Sequence, residues 1–172
     1  MQCILNFPHR RKSEIDMFYV YEMRYDKDEV RASRIECVPF TGKVFEQNQD
    51  IYKYEYNGAF YPMRVALDVK PYEWFSDSGA KLVMKPDVFV LIENNELVGS
   101  VGCYGNEVDD LFVCSPYLKK GYGRKLLVWA MNHIRQQGYH EIVLHVAEWN
   151  GAAVKLYTDE GFEIVSKELV EP

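Results

Sequence analysis

This sequence predicts an α/β fold of the α+β kind: a mixed, mainly antiparallel sheet with helices on its faces. Three observations lead there. Residues 87–114 read as three strands joined by two tight-turn signals, the pattern of an antiparallel meander. Residues 121–137 carry an apolar stripe at helical spacing. A strand, a helix and a strand then follow in order, so the meander feeds a βαβ crossover with helices laid on the sheet.

Taken in order, IDMFYVYEMR (15–24) is rich in β-formers and predicts a strand, with a second short strand over Ser33 to Phe40. From Glu46 to Leu67 the pattern turns helical. Tyr52, Tyr56, Phe60, Met63 and Leu67 fall at steps of four, four, three and four, one face of a helix. Gly58 and Pro62 should break or kink that helix into two pieces. Pro71 to Pro86 reads as loop, with weak helical character near Tyr72 to Phe75. The meander strands fall near 87–93, 96–104 and 107–114, with turns at Asn94-Asn95 and Gly105-Asn106, residues that tolerate positive φ. Helix 121–137 buries Leu126, Leu127, Ala130, Met131 and Ile134 and stops at Gly138. A strand at 141–147 precedes a helix from Asn150, its N-cap, to Glu160, with Gly161 as its stop. The last strand is 162–169.

At 172 residues the chain is most simply one domain, 1–172, large enough to bury a core. Its formal net charge of −6 argues against general affinity for nucleic acid, so an anionic ligand must be met by a local basic site. Cys3, Cys37, Cys103 and Cys114 lack close-pair metal spacing and suggest no disulfide framework; they read as free thiols in a reducing cytoplasm. The charges of MQCILNFPHRRKSEID follow a very short apolar run, the wrong order for a signal peptide, and no stretch approaches a membrane span. No metal constellation stands out.

The basic site is SPYLKKGYGRKLL. Lys119, Lys120, Arg124 and Lys125 crowd around Gly121 and Gly123 between a strand and a helix. Such a loop aims the free N–H groups and positive dipole end of the helix at one point, and glycines allow close backbone approach. That combination suits phosphate. The alternative is a tight turn with solvated cations. A Walker loop is absent, and position 126, where a dinucleotide fingerprint wants a third small residue, is leucine.

Strand EVDDLFVCSPY, loop LKKGYGRKLL, strand EIVLHVAEWN and helix NGAAVKLYTDEGF together resemble the GNAT superfamily of acyl-CoA-dependent N-acetyltransferases, over residues 87 to 169 and in that family's order. The resemblance implies a GNAT-like fold with a splayed central strand pair, residues 1–86 forming the acceptor-side half and 87–172 the coenzyme-binding half. It implies a phosphate loop of pattern [QR]-x-x-G-x-[GA], whose last two fixed positions are Gly121 and Gly123; Leu118 departs from the first. Binding of the coenzyme A pyrophosphate would then rest on backbone amides from Lys119 through Gly121, Tyr122, Gly123, Arg124 and Lys125 and on the cations. The pantetheine arm would pair with backbone near Phe112 and Val113, and Asn150 matches a family asparagine near the coenzyme. The splay in this family goes with a β-bulge, and the spacing here agrees: Val108, Leu111 and Val113 cannot share one face under strict alternation.

Acyl transfer to an amine needs a base for the ammonium proton and a donor for the departing thiolate. Tyr157 matches the family tyrosine that protonates the thiolate; otherwise it is a core residue beside Ala153. Glu107, six residues before Val113, matches the catalytic glutamate of some members; otherwise it is a strand-end charge. Asp109, Asp110 or a water chain could serve instead. His140 and His145 carry little weight, and Cys114 reads as a small buried residue. Tyr52, Tyr54, Tyr56, Phe60, Tyr61, Tyr72, Trp74 and Phe75 divide between core and an aromatic acceptor pocket, where a cation could meet a ring face. The expectation is a cytoplasmic N-acetyltransferase that moves acetyl from acetyl-CoA to a primary amine of a small molecule or peptide by direct transfer, without metal, nucleic acid or membrane, and with a homodimer allowed. The alternative is the same fold binding acyl-CoA as a sensor or partner module without turnover.

Overall fold

The computed structural model describes residues 17–66, 68, 70–73 and 86–170. The chain runs β1 (Phe18–Tyr25), β2 (Val38–Pro39), α1 (Gly42–Ala66), β3 (Val88–Glu93), β4 (Glu96–Tyr104), β5 (Glu107–Val113), a single 3₁₀ turn (Ser115–Tyr117), α2 (Tyr122–Gln136), β6 (Ile142–Ala147), α3 (Gly151–Glu160) and β7 (Glu163–Val170). The seven strands form one sheet in the order β2-β3-β4-β5-β6-β1-β7. All pairs are antiparallel except β5–β6, which the β5–α2–β6 crossover makes parallel. Leu67, Trp74, Phe75, Cys3 and most of the 71–86 loop lie outside the described residues.

Helices cover both faces. The α2 stripe Leu126, Leu127, Ala130, Met131 and Ile134 is at most 2% exposed, and it packs with Val108, Leu111 and Val113 of β5 and Leu144 and Val146 of β6. On the opposite face Tyr52, Tyr56, Phe60 and Met63 of α1 pack with Val88, Val90, Phe112 and Cys114. The expected face of α1 is thus the buried one, but the expected break is absent: one helix runs from Gly42 to Ala66 through Pro62. Gly58, whose carbonyl loses its donor to Pro62, is exposed, so water can satisfy it, while the packed stripe holds the other side. Asn94 (φ 52°) and Asn95 (φ 63°) form the first meander turn, and Gly105 (φ 62°) opens the second.

One expectation at the N-terminal side needs correction. Instead of a strand over Ser33 to Phe40, only Val38 and Pro39 pair, with Val90 and Phe89. Ser33 turns the chain locally: its hydroxyl donates to the Ile35 carbonyl (2.9 Å) and accepts from the Ile35 N–H (3.2 Å). Pro39 has no donor to extend the ladder, so the strand stays short and at the edge. The more consequential finding is β1. It does not pair with its sequence neighbours but lies between β6 and β7, antiparallel to both.

Candidate functional site

The site begins where the sheet parts. β5 and β6 share one ladder pair, Glu107 with Val143, and the Val143 N–H donates to the Asn106 carbonyl at 3.0 Å. Beyond it, β5 stays with β4 as far as Gly99–Val113, whereas β6 follows β1. The β4–β5 register slips between Ser100 and Gly102, so Asp109 to Phe112 oppose one residue fewer on β4. Asp110 sits in this bulge at φ 49°. The slip brings Val108, Leu111 and Val113 to the α2 face and turns Phe112 to the α1 face, as the apolar spacing required. Cys114 donates to the Val98 carbonyl (2.8 Å), so alternation directs the backbone groups of Phe112 toward β4 and those of Val113 into the gap. Of the two residues expected to pair with a pantetheine arm, Val113 is the one whose N–H and C=O face the gap.

β5 leads into the glycine loop. Lys119 (φ 58°) and Gly121 (φ 82°) are left-handed, and Gly121 caps α2. The N–H groups of Tyr122, Gly123 and Arg124 precede the first intrahelical bond, Lys125 N–H to Gly121 C=O at 3.3 Å. Leu118, in place of a polar residue, packs against the α2-side core. Lys119, Lys120 and Lys125 are exposed around the loop. Lys120 donates to the Pro116 carbonyl (2.9 Å), and Lys125 lies over the Tyr122 ring, 4.4 Å from its centroid. The Tyr122 hydroxyl donates to Glu93 at 2.6 Å, which raises its pKa. Arg124 is turned elsewhere, to Asp159 (3.3 Å) and Glu160 (3.0 Å) at the end of α3. The loop therefore combines a helix start with lysines, and its arginine ties α2 to α3.

A residue that sequence reasoning missed anchors this loop. Glu55 of α1 is 7% exposed, and its Oε2 accepts from both the Ser115 N–H (2.9 Å) and the Ser115 hydroxyl (2.8 Å). Only its place beside Tyr56 in the α1 stripe hinted at burial. Burial, followed by the nearby Glu55 charge, pushes the Cys114 thiol up to about 12, so Cys114 is an inert buried thiol.

Tyr157 is fully buried on α3 and meets Phe162 edge-on at a 6.1 Å ring separation. Asn150 caps α3, its side-chain oxygen accepting from the Ala153 N–H at 3.3 Å. Glu107 stands at the closed end of the gap. Its Oε1 lies 2.9 Å from His145 Nδ1, and Glu22 Oε2 of β1 is 3.9 Å from Nε2 of the same ring. His145 alternates with Leu144 and Val146, which places it on the face away from α2.

Farther along the gap, both oxygens of Asp110 accept from tyrosines, Oδ1 from Tyr56 (3.1 Å) and Oδ2 from Tyr104 (3.0 Å); Arg64 donates to the Tyr56 hydroxyl at 3.2 Å. Burial first, then the Asp110 charge, raises both phenol pKa values, so these hydroxyls remain donors. Tyr52, Tyr56 and Phe60 belong to the core, whereas Tyr54 and Tyr61 are exposed. Tyr72 hydrogen-bonds Asp68. Among the described residues, no group of three or more His, Cys, Asp and Glu side chains could hold a metal ion, and no helix is long and apolar enough to cross a membrane.

Comparison with known proteins gives the following. The family model described as "Acetyltransferase (GNAT) family" matches residues 44–162. A mycothiol acetyltransferase of Corynebacterium glutamicum is 28% identical over 103 residues, which are 57% of this chain and 32% of that protein. A GNAT-family acetyltransferase from Colwellia psychrerythraea superposes with a TM-score of 0.60 at 16% identity, over 90% of this chain and 55% of that one. A GCN5-related N-acetyltransferase from Sphaerobacter thermophilus gives 0.57 at 14% identity, over 91% and 53%. At these identities the two structures show the fold alone. The chain spans about a third of the curated relative's length and about half of each of these structures.

Proposed function

We propose, on the premise that this chain belongs to the acetyltransferase (GNAT) family, that it transfers the acetyl group of acetyl-CoA directly to a primary amine of a small molecule or peptide. One observation carries this reading: a gap between β5 and β6, faced by the Val113 backbone, that leads along β5 to the glycine loop at the start of α2. The residues present fit the coenzyme. Tyr122, Gly123 and Arg124 N–H groups with Lys119, Lys120 and Lys125 would hold the pyrophosphate, and Val113 would pair with the amide arm as one strand pairs with another. Bound there, acetyl-CoA supplies the activated acyl carbon.

The chain's own residues would then move protons. An alkyl amine has a pKa near 10.4, so about one molecule in a few thousand is neutral at pH 7. Glu107 is the first candidate to accept the ammonium proton, with Asp110 as the carboxylate nearer the middle of the gap. Tyr157 would donate to the departing thiolate; its phenol is neutral at pH 7 and its burial keeps bulk water from competing. The reading implies a cytoplasmic setting, in keeping with the buried free thiols Cys37, Cys103 and Cys114.

Acetyl-CoA should raise the melting temperature of the wild type, since a ligand selective for the native state stabilises it by mass action. Gly123→Val should remove that shift without unfolding the protein. A panel of polyamine, arylethylamine, aminoglycoside and peptide amines, followed by thiol release, tests transfer. An unchanged melting temperature at saturating acetyl-CoA sinks the reading. A shift without thiol release from any amine favours an acyl-CoA-binding module instead.

A further inference from the structure

Among the described residues, the Glu107–His145 contact bridges β5 and β6 where their ladder has ended. Glu107 pairs with Val143, and His145 is two residues further along β6, on the same face as Val143. Without a partner, Glu107 would be a side chain at the end of a strand, about one-third exposed, with several rotamers open to it. His145 Nδ1 lies 2.9 Å from its Oε1. The ring is itself held in register, because His145 pairs with Glu22 across β1–β6 and its Nε2 faces the Glu22 carboxylate at 3.9 Å. Arg24 in turn joins Glu22 (3.2 Å) and Glu141 (3.2 Å). The charged groups that face the imidazole are thus Glu107 from β5 and Glu22 from β1, with Arg24 joined to the latter and Glu141 to Arg24.

We infer that His145 is the positioning residue of Glu107. Its Nδ1–H, in the neutral tautomer or in the imidazolium, donates to Oε1 and fixes the carboxylate at the closed end of the gap. Oε2 is left to accept the proton that the ammonium acceptor gives up: an N–H bond breaks, an O–H bond forms, and the nitrogen keeps the electron pair it uses for attack. This rests on the acyl-transfer reading above.

The test uses acetyl-CoA and the fastest amine of the panel with His145→Ala, His145→Asn, Glu107→Gln and the Ala/Gln double variant. Asn can place an amide N–H near the position of Nδ1. Removing a general base costs about 10²- to 10⁴-fold, and loss of its orientation should cost less, so His145→Ala should lower kcat by about tenfold to a hundredfold. The KM for acetyl-CoA and its thermal shift should be unchanged. His145→Asn should recover most of the rate, and the double variant should be no slower than Glu107→Gln. A wild-type kcat in His145→Ala overturns the inference, as does a full additional loss in the double variant. Both outcomes leave acyl transfer standing. A wild type that releases no thiol with any amine overturns transfer itself, and this inference with it.

Discussion

Replacing Glu55 by alanine should destabilise the fold and loosen the coenzyme loop together. The carboxylate is buried in α1 and receives two hydrogen bonds from Ser115, 2.9 Å and 2.8 Å long. Hydrogen bonds to a charged group are worth about 1.5–3 kcal/mol each. Two effects reduce the sum. Ser115 is exposed, so water replaces part of what its N–H and hydroxyl lose. Alanine also removes the cost of keeping a carboxylate out of bulk water. A net loss of about 1.5–3 kcal/mol remains. For a domain of this size each kcal/mol moves the melting temperature by about 2–4 °C, so Glu55→Ala should melt about 3–12 °C below wild type. Glu55→Gln keeps an oxygen that can accept both bonds and should lose no more than about 1 kcal/mol. Differential scanning fluorimetry with and without acetyl-CoA reads both effects, and the coenzyme-induced shift should be smaller in the alanine variant. Melting within about 1 °C of wild type, or equal losses for Ala and Gln, would refute the argument that these two bonds fasten the loop to α1.

Tyr157→Phe should retain the acetyl-CoA thermal shift and lose about 10²- to 10⁴-fold in turnover, measured by thiol release; wild-type turnover would reduce Tyr157 to packing. Gly99→Ala would put a Cβ 2.6 Å from the Phe112 carbonyl oxygen and 2.8 Å from Leu126 Cδ1, so β5 must shift. Overpacking of this kind costs about 1–3 kcal/mol, readable by urea unfolding. Burial holds the thiols of Cys37, Cys103 and Cys114 at about 12, against an ordinary value of 9.0, and raises Tyr52, Tyr56 and Tyr104 above 10.0. Raised values mean that the native state holds these protons more tightly, so their contribution is complete below about pH 9 and declines as pH rises through about 12. Urea unfolding from pH 7 to 11 should show level stability, then a fall beginning near pH 9.

Local chemistry made most of the fold legible. Asn94-Asn95, the α2 stripe and the caps Asn150 and Gly161 act within a few residues, and the meander strands, α2, β6, α3 and β7 formed within one or two residues of their expected bounds, whereas α1 starts at Gly42 instead of Glu46. The bulge was legible because three apolar residues on β5 could not otherwise share a face. Pro62 misled because its cost falls on the exposed side of a helix whose other side is packed. Ser33 misled because a side-chain hydrogen bond competed with strand pairing. The partners of β1 are more than a hundred residues away, and no local signal records them. The same holds at the site. The glycine loop lies in one stretch of sequence, whereas Glu55–Ser115, Glu107–His145 and Tyr56–Asp110 join residues 60, 38 and 54 positions apart.

The position of β1 also governs when the molecule can be finished during synthesis. Its pairing edges belong to β6 and β7; the end of β6 leaves the ribosome roughly 120 residues after Tyr25 and the end of β7 roughly 145. At about 5–20 residues per second that is a wait of roughly 7–30 s. Until β6 is made, FYVYEMRY is an aromatic-rich β-former with both edges unpaired, the kind of segment that seeks another chain. The meander and the coenzyme loop can assemble in the meantime, since their contacts are with one another and with α1. Slowing translation between residues 26 and 141 should therefore lower soluble yield, whereas the same delay before β1 is made should not.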